Sequence, residues 1–430
     1  MLKKSMVLIM VLSIILFGCS KPRHQDITYI DDLVKTELPR PGVIIHNIDE
    51  FIYVLDYLAF YRVNEEVYFE IADTYKNNIE NIYQEFQKAY RASDLADTYA
   101  CVLDEKYYQD EDLVGIKYSI TKDIAINKNK AEQVEVIKNY DYYLQDQKIF
   151  ELPIETKKTI SCETSEQLYY LAMKGYCPKP KKDSVAEKIY QDAKNILYKR
   201  IVEDDSLLLK IKKIYDYLTS EIYYDHQTAI SNSDNLIAEQ AYYLEGVFLN
   251  NNAVCDGKAK AYALLLNMLG IPCLRITGNA DLSDHAWNMV EFNNEWYLSC
   301  STFGRGKKIT AINAISPNYS MMLVGKDDFE KYGWEYVADK YIEVEKIMAK
   351  KSPDVYKGFN ELLSVNNIND VKNMYEKLKS KLKNKYKLEF RYNGKNATLF
   401  EEELTKYLND KNIKIMKIKG DTIYQLIYLK

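Results

Sequence analysis

Residues 250–273 read NNNAVCDGKAKAYALLLNMLGIPC, and no other stretch constrains the fold of the chain so tightly. A polar, turn-forming run ends at Cys255. From Asp256 onward, Ala259, Tyr262, Leu265, Leu266 and Leu269 line a broad apolar face at helical spacing, and Gly270 with Pro272 closes the segment. The pattern predicts a buried helix with a thiol at its first turn. Unpaired N–H groups and the positive end of the helix dipole at that point favour a thiolate. Gly257 leaves room for another backbone or a substrate to come close. Asp256 opposes the thiolate unless its carboxylate turns away to cap the helix. Taken alone, a Cys in this place also reads as an ordinary small core residue.

A nucleophilic thiolate needs a proton acceptor, and His285 opens the stretch HAWNMVEFNNEWYLSCSTFG. That stretch reads as a β-hairpin turning at Asn293 and Asn294. A two-residue loop pairs Phe292 with Glu295. Counting outward sets Trp287 opposite Cys300 and His285 opposite Thr302, so these four residues share a face. Position 300 then lies diagonal to His285, within reach of a short acceptor. Trp287 and Trp296 read as core aromatics of the hairpin.

These two segments resemble the transglutaminase-like superfamily, whose core is of the papain-like Cys-His-Asp type. NNNAVCDGKAKAYALLLNMLGIPC is similar to the nucleophile segment of that family, and DHAWNMVEFNNEWYLSCSTF to its His segment. IYDYLTSEIYYD, Ile214 to Asp225, resembles the helix and short extended piece that precede the nucleophile. The resemblance covers about Ile211 to Trp334. It implies Cys255 as nucleophile and His285 as general base and then general acid, acting on a carboxamide through a thioester. The outcome would be hydrolysis of an amide bond or transfer of the acyl group to an amine. The Cys255 backbone N–H would hold part of the oxyanion. Where the family carries its Asp, this chain carries Cys300, and Phe303 stands where a Trp is usual. A neutral thiol stabilises imidazolium poorly, and losing the orienting anion of a related triad costs about 10⁴ in kcat. Three explanations stand open: a dyad oriented by Asp284, Asp281 or Ser299; a degenerate enzyme whose fold serves binding; or a Cys255–Cys300 disulfide.

The N-terminus reads MLKKSMVLIMVLSIILFGCS. Two Lys precede an apolar run of 12 residues, Met6 to Phe17, too short for the roughly 20 that cross a bilayer as a helix. LFGC is similar to the lipobox of bacterial lipoproteins, which implies a signal peptide over 1–18, lipid on Cys19 and a tether over 19–40. The partners expected are therefore the membrane, through that lipid, and a surface protein or peptide substrate. Formal net charge is −5 with both signs interspersed, which offers no basic tract for nucleic acid. Seven Cys at irregular spacing with only four His give no metal-ligand pattern, so no metal or cofactor is expected. Cys162 and Cys177 flank one helix and read as free core thiols or a bridge. The 39 Tyr are expected on half-wet faces.

A chain of 430 residues exceeds one core, and two or three domains are expected. Residues 41–182 begin with the order helix, strand, helix, strand from about Asn47 to Thr121. Residues 346–430 repeat that order and finish in a hairpin around Gly420 and Asp421, at an offset of about 320 residues. Asp104 to Asp112 reads as an acidic loop. Between the flanks lies the central domain, 183–345, with a Lys-rich stretch at Lys350 to Pro353 on its far side. The expected architecture is α+β: a papain-like core with a helical half and a small antiparallel sheet, between two small α/β modules.

Overall fold

The computed structural model describes residues 29–33, 37–63, 66–95, 102–108, 113–119, 123–124, 149–230, 237–238, 240–280, 283–304, 308–309, 314–315, 317, 319–330, 347–355, 363–385, 387–409, 411, 413–417 and 423–428. Cys19, the apolar leader, the start of the tether, Asp281 and the Gly420 turn lie outside the described residues. No helix among the described residues is long and apolar enough to cross a membrane. The chain divides into two compact units, one of Met1–Phe86 with Val102–Ser119 and the other of Gln87–Cys101 with Ile120–Lys430.

The smaller unit holds strand β1 (Ile44–Ile45), helix α1 (Ile48–Tyr61), strand β2 (Glu66–Ile71), the start of helix α2 (Ile82–Ala92), and strands β3 (Val102–Tyr108) and β4 (Leu113–Ser119). The Asn47 side chain caps α1 by accepting the Glu50 N–H, and the helix lays Phe51 edge-on against Phe69 of β2. The sheet runs in the order β1-β2-β4-β3, with only β1 and β2 parallel. The stretch read as an acidic loop from Asp104 is therefore in its first part an edge strand. An edge tolerates the charges of VLDEKYY, because among the described residues one side of the strand pairs with no other strand.

In the larger unit, helices α3 (Ser165–Met173), α4 (Val185–Arg200) and α5 (Leu207–Ser220) lead to strand β5 (Tyr223–Tyr224) and the short helix α6 (Leu244–Phe248). Strand β6 (Asn252–Ala253) then delivers helix α7 (Cys255–Met268), which begins at the residue the sequence predicts. Gly270, at φ 72°, ends the helix in the left-handed conformation, and the Ile271 N–H returns to the Leu266 carbonyl. Strands β7 (Cys273–Ala280), β8 (Ser283–Phe292) and β9 (Glu295–Ser299) form an antiparallel sheet. Phe292 faces Glu295 as expected, and Asn293 and Asn294 both take positive φ in the turn. The central part of this unit is thus α+β, with a helical half and a small antiparallel sheet.

The central body is wider than the sequence shows. Helix α3 packs on α7, and β-paired segments Thr159–Cys162 and Cys177–Pro180 accompany it. Residues from about 152 to 180, assigned above to the N-terminal module, thus pack with the central core. At the other end the Ala349 N–H bonds the Trp296 carbonyl and Lys326 N–H bonds the Ala349 carbonyl, so 347–355 is also tied to the central sheet. No disulfide joins Cys162 and Cys177. Tyr215, Tyr262 and Tyr319 are fully buried together rather than half-wet, and the Tyr215 hydroxyl donates to the Cys300 carbonyl.

The last segment of the unit contains β10 (Leu363–Val365), α8 (Ile368–Lys385), β11 (Lys387–Tyr392), α9 (Ala397–Leu408), β12 (Ile413–Lys417) and β13 (Ile423–Tyr428). Its sheet order is β10-β11-β13-β12, with β10 and β11 parallel and the other pairs antiparallel. The topology repeats that of the first sheet strand for strand. In its own core Phe390 stacks on Tyr424 and meets Phe400 edge-to-face.

Candidate active site

Helix α7 presents Cys255 on its first residue, with Val254 as an N-cap that supplies no side-chain bond. The backbone N–H groups of Ala286 and Asp256 point at the thiol sulfur. Ala286 is the residue after His285, so the imidazole-bearing strand meets helix α7 at the thiol itself. Asn288 fixes this meeting. Its buried amide donates to the Ala259 carbonyl of α7 (2.8 Å) and the Leu274 carbonyl of β7 (3.3 Å). The space at Gly257 is filled by backbone: an added Cβ would collide with the Ala241 and Tyr243 carbonyls.

Asp256 turns away from the thiol. Burial alone would raise its carboxyl, but Arg275 and Lys260 hold it below the usual carboxylate range. Arg275 Nε binds one carboxylate oxygen and Lys260 Nζ, 3.0 Å away, binds the other. Lys260 also donates to the Tyr242 carbonyl and lies over the Tyr243 ring. Glu245 adds a further buried acid: desolvation lifts it to about 7, against a 2.7 Å bond from the Ser165 hydroxyl.

The helix terminus does not lower the Cys255 thiol as the sequence argument expects. Burial pushes it up, helped by the Asp256 charge, and the two N–H groups with Arg275 only partly offset this. Desolvation exceeds the dipole because the sulfur is largely covered. Burial likewise carries His285 down to about 4, so the resting pair is thiol and neutral imidazole.

His285 Nε2 lies 3.2 Å from the Cys300 sulfur. That sulfur also accepts the Phe303 N–H at 3.4 Å and meets the Thr302 N–H. Burial raises the Cys300 thiol to about 12. The other orienters are placed elsewhere: the Ser299 hydroxyl accepts the Leu323 N–H, and Asp284 is exposed on the opposite side of its strand. No disulfide joins Cys255 and Cys300; both are free. The ladder stops at Asn288 and Ser299, so Thr302 is not paired opposite His285; the chain instead turns through 301–304 and brings its N–H groups to Cys300. Trp287 stacks on His285 and is buried beside Cys300, while Phe303 tilts over the imidazole at 4.7 Å and remains partly exposed.

Residues 197–299 match the Transglutaminase-like superfamily. The chain carries a transglutaminase-like domain. Among solved structures it is similar to one described as a TGase, at 15% identity and TM-score 0.24, covering 60% of this chain and 59% of that one. It is also similar to a structure from Cytophaga hutchinsonii described as a "Putative Cysteine Protease", at 13% identity and TM-score 0.17, covering 50% of this chain and 65% of that one. The chain thus spans less than two thirds of either relative. No curated protein matches the chain. Among the described residues no His, Cys, Asp and Glu group could hold a metal ion.

Tyr224 and Arg275 are the site residues that sequence reading passes over. The Tyr224 phenol hydrogen-bonds with the Cys255 thiol and stands near Cys300. A two-residue strand has no periodicity to reveal it. Arg275 is legible only as the one charge in the strand Cys273–Ala280.

Proposed function

We propose that the transglutaminase-like domain catalyses acyl transfer or hydrolysis at amide bonds, with Cys255 as nucleophile and His285 as base. The observation that carries this reading is the Ala286 N–H on the Cys255 sulfur, which sets the imidazole-bearing residue beside a thiol at a helix start. With Nε2 facing Cys300, Nδ1 must take the thiol proton. It can do so only in the tautomer whose Nε2–H donates to the Cys300 sulfur. Thiol and imidazole are both neutral at rest, so proton transfer accompanies attack rather than preceding it. The sulfur bonds the carboxamide carbon, and the proton passes to His285. It then goes to the leaving amine as the C–N bond breaks and the thioester forms. Water or a primary amine resolves that thioester.

The substrate class is a peptide or protein amide met outside the cytoplasm, and the chain is exported and held at the cell membrane by lipid on Cys19. The LFGC motif and the basic, apolar leader support this location. Fatty-acid labelling in the bacterium should mark the chain and be lost in Cys19→Ser. The catalytic reading is tested by incubating the protein with a glutamine-containing peptide and an amine, then measuring intact mass and ammonia release. A thioester on Cys255 and its absence in Cys255→Ala are expected. Identical turnover in wild type and Cys255→Ala would overturn the reading.

A second reading is a fold retained for binding. The uncharged sulfur at position 300 favours it, because no anion stabilises the imidazolium.

A further inference from the structure

Acyl chemistry at Cys255 needs two donors for the oxygen that turns anionic, and the helix start supplies one as the Cys255 backbone N–H. Other polar side chains of the segments leading to and facing helix α7 are committed. The Asn288 amide is held by two carbonyls, Asn250 bonds Gln240, and the Tyr242 hydroxyl faces the Thr228 carbonyl. Phe303 has no donor. Tyr224 differs in each respect. Strand β5 runs parallel to β6 with Tyr224 opposite Ala253, two residues ahead of Cys255. The Tyr223 N–H bonds the Asn251 carbonyl (2.8 Å) and the Asp225 N–H bonds the Ala253 carbonyl (3.2 Å), which clamps the backbone on both sides. Asp225 then binds the Thr228 N–H and hydroxyl and turns the chain away, while the His226 ring backs the Tyr224 ring edge-on at 4.8 Å. The phenol is directed at the Cys255 thiol and its ring is half-buried, so a substrate can reach it.

We propose that the Tyr224 phenol is the second oxyanion donor, binding with the Cys255 N–H the oxygen of the tetrahedral adduct. This rests on the acyl-transfer reading above. When Cys255 sulfur bonds the carbonyl carbon, the π pair of the C=O moves to oxygen and the thiol proton passes to His285. The phenol keeps its own proton and exchanges a bond to the sulfur for a stronger, charge-assisted one to the oxyanion. Burial, and then the nearby Cys255, push the phenol well above its ordinary pKa, so it stays a donor across the physiological range. On collapse the pair returns to the C=O, the C–N bond breaks, and the amine leaves with the proton from His285.

The test pairs two reactions of one sulfur in the full chain. Acylation by p-nitrophenyl acetate passes through an oxyanion; alkylation by iodoacetamide does not. Tyr224→Phe should slow acylation about 10²-fold, the cost of one oxyanion donor, and change alkylation less than about threefold. Tyr224→3-fluorotyrosine, a stronger donor of the same shape, should leave acylation at or above wild type. Equal losses in both reactions for Tyr224→Phe would show that Tyr224 only tunes the thiol. Unchanged acylation would show that it does nothing to the adduct; either result overturns the proposal. A wild-type protein that is not acylated at Cys255 at all overturns the acyl-transfer reading itself, and with it this one.

Discussion

Two thiols, the half-buried Cys255 and the buried Cys300, meet the strand that carries His285, and their surroundings differ in a telling way. Cys255 sits at a helix start, beneath a half-buried Tyr224, with N–H groups from Ala286 and Asp256. Cys300 sits at a strand end inside the apolar cluster of Ile276, Trp287, Met289 and Leu298, with N–H groups from Phe303 and Thr302 and the His285 Nε2 beside it. Both sulfurs are solvated by backbone donors, as anions are. Only the first can meet a substrate. The second offers backbone N–H groups and an imidazole nitrogen to a side chain that is a neutral thiol.

The sharpest way to probe this contrast is to supply the charge. Cys300→Asp places a carboxylate among the Phe303 and Thr302 N–H groups and the imidazole, and kcat/KM on a glutamine peptide should rise by up to about 10⁴-fold. A fall would mean that the thiol is a functional part of the arrangement. The next effect concerns the His285 imidazole. Its folded pKa of about 4 lies below the unfolded value of about 6.5, so the unfolded chain takes the proton first. This contribution is intact above about pH 6.5 and is lost as pH falls, reaching about 3 kcal/mol near pH 4. Urea unfolding of wild type and His285→Gln at both pH values should show that slope only in wild type. The smallest effect compares the thiols directly. Iodoacetamide with peptide mapping should label Cys255 roughly tenfold faster than Cys300, at a rate still climbing at about pH 9 because burial raises the Cys255 thiol. Equal labelling would erase the distinction.

Much of the site was legible because its parts obey strong periodic rules. The Asn293–Asn294 turn sets the register of the hairpin, and the register brings position 300 to His285. Helix α7 starts at Cys255 and stops at Gly270 because a polar turn and a left-handed glycine bracket its apolar face. The rest depends on contacts that no local pattern carries. β1 and β10 are too short to alternate, and β3 is charged because it is an edge. The domain limits move outward since residues near 152–180 and 347–355 are bound by packing and by backbone bonds to distant partners. The expected lowering of the Cys255 pKa fails for a similar reason: the dipole is visible in sequence, whereas the burial that outweighs it is not.

Residue 300 has its backbone fixed independently of its side chain. Its N–H bonds the Met321 carbonyl, and its carbonyl accepts from the Gly304 N–H and the Tyr215 hydroxyl. The position therefore behaves as an interchangeable socket. Its side chain can be exchanged by a single substitution while the surrounding scaffold stays in place.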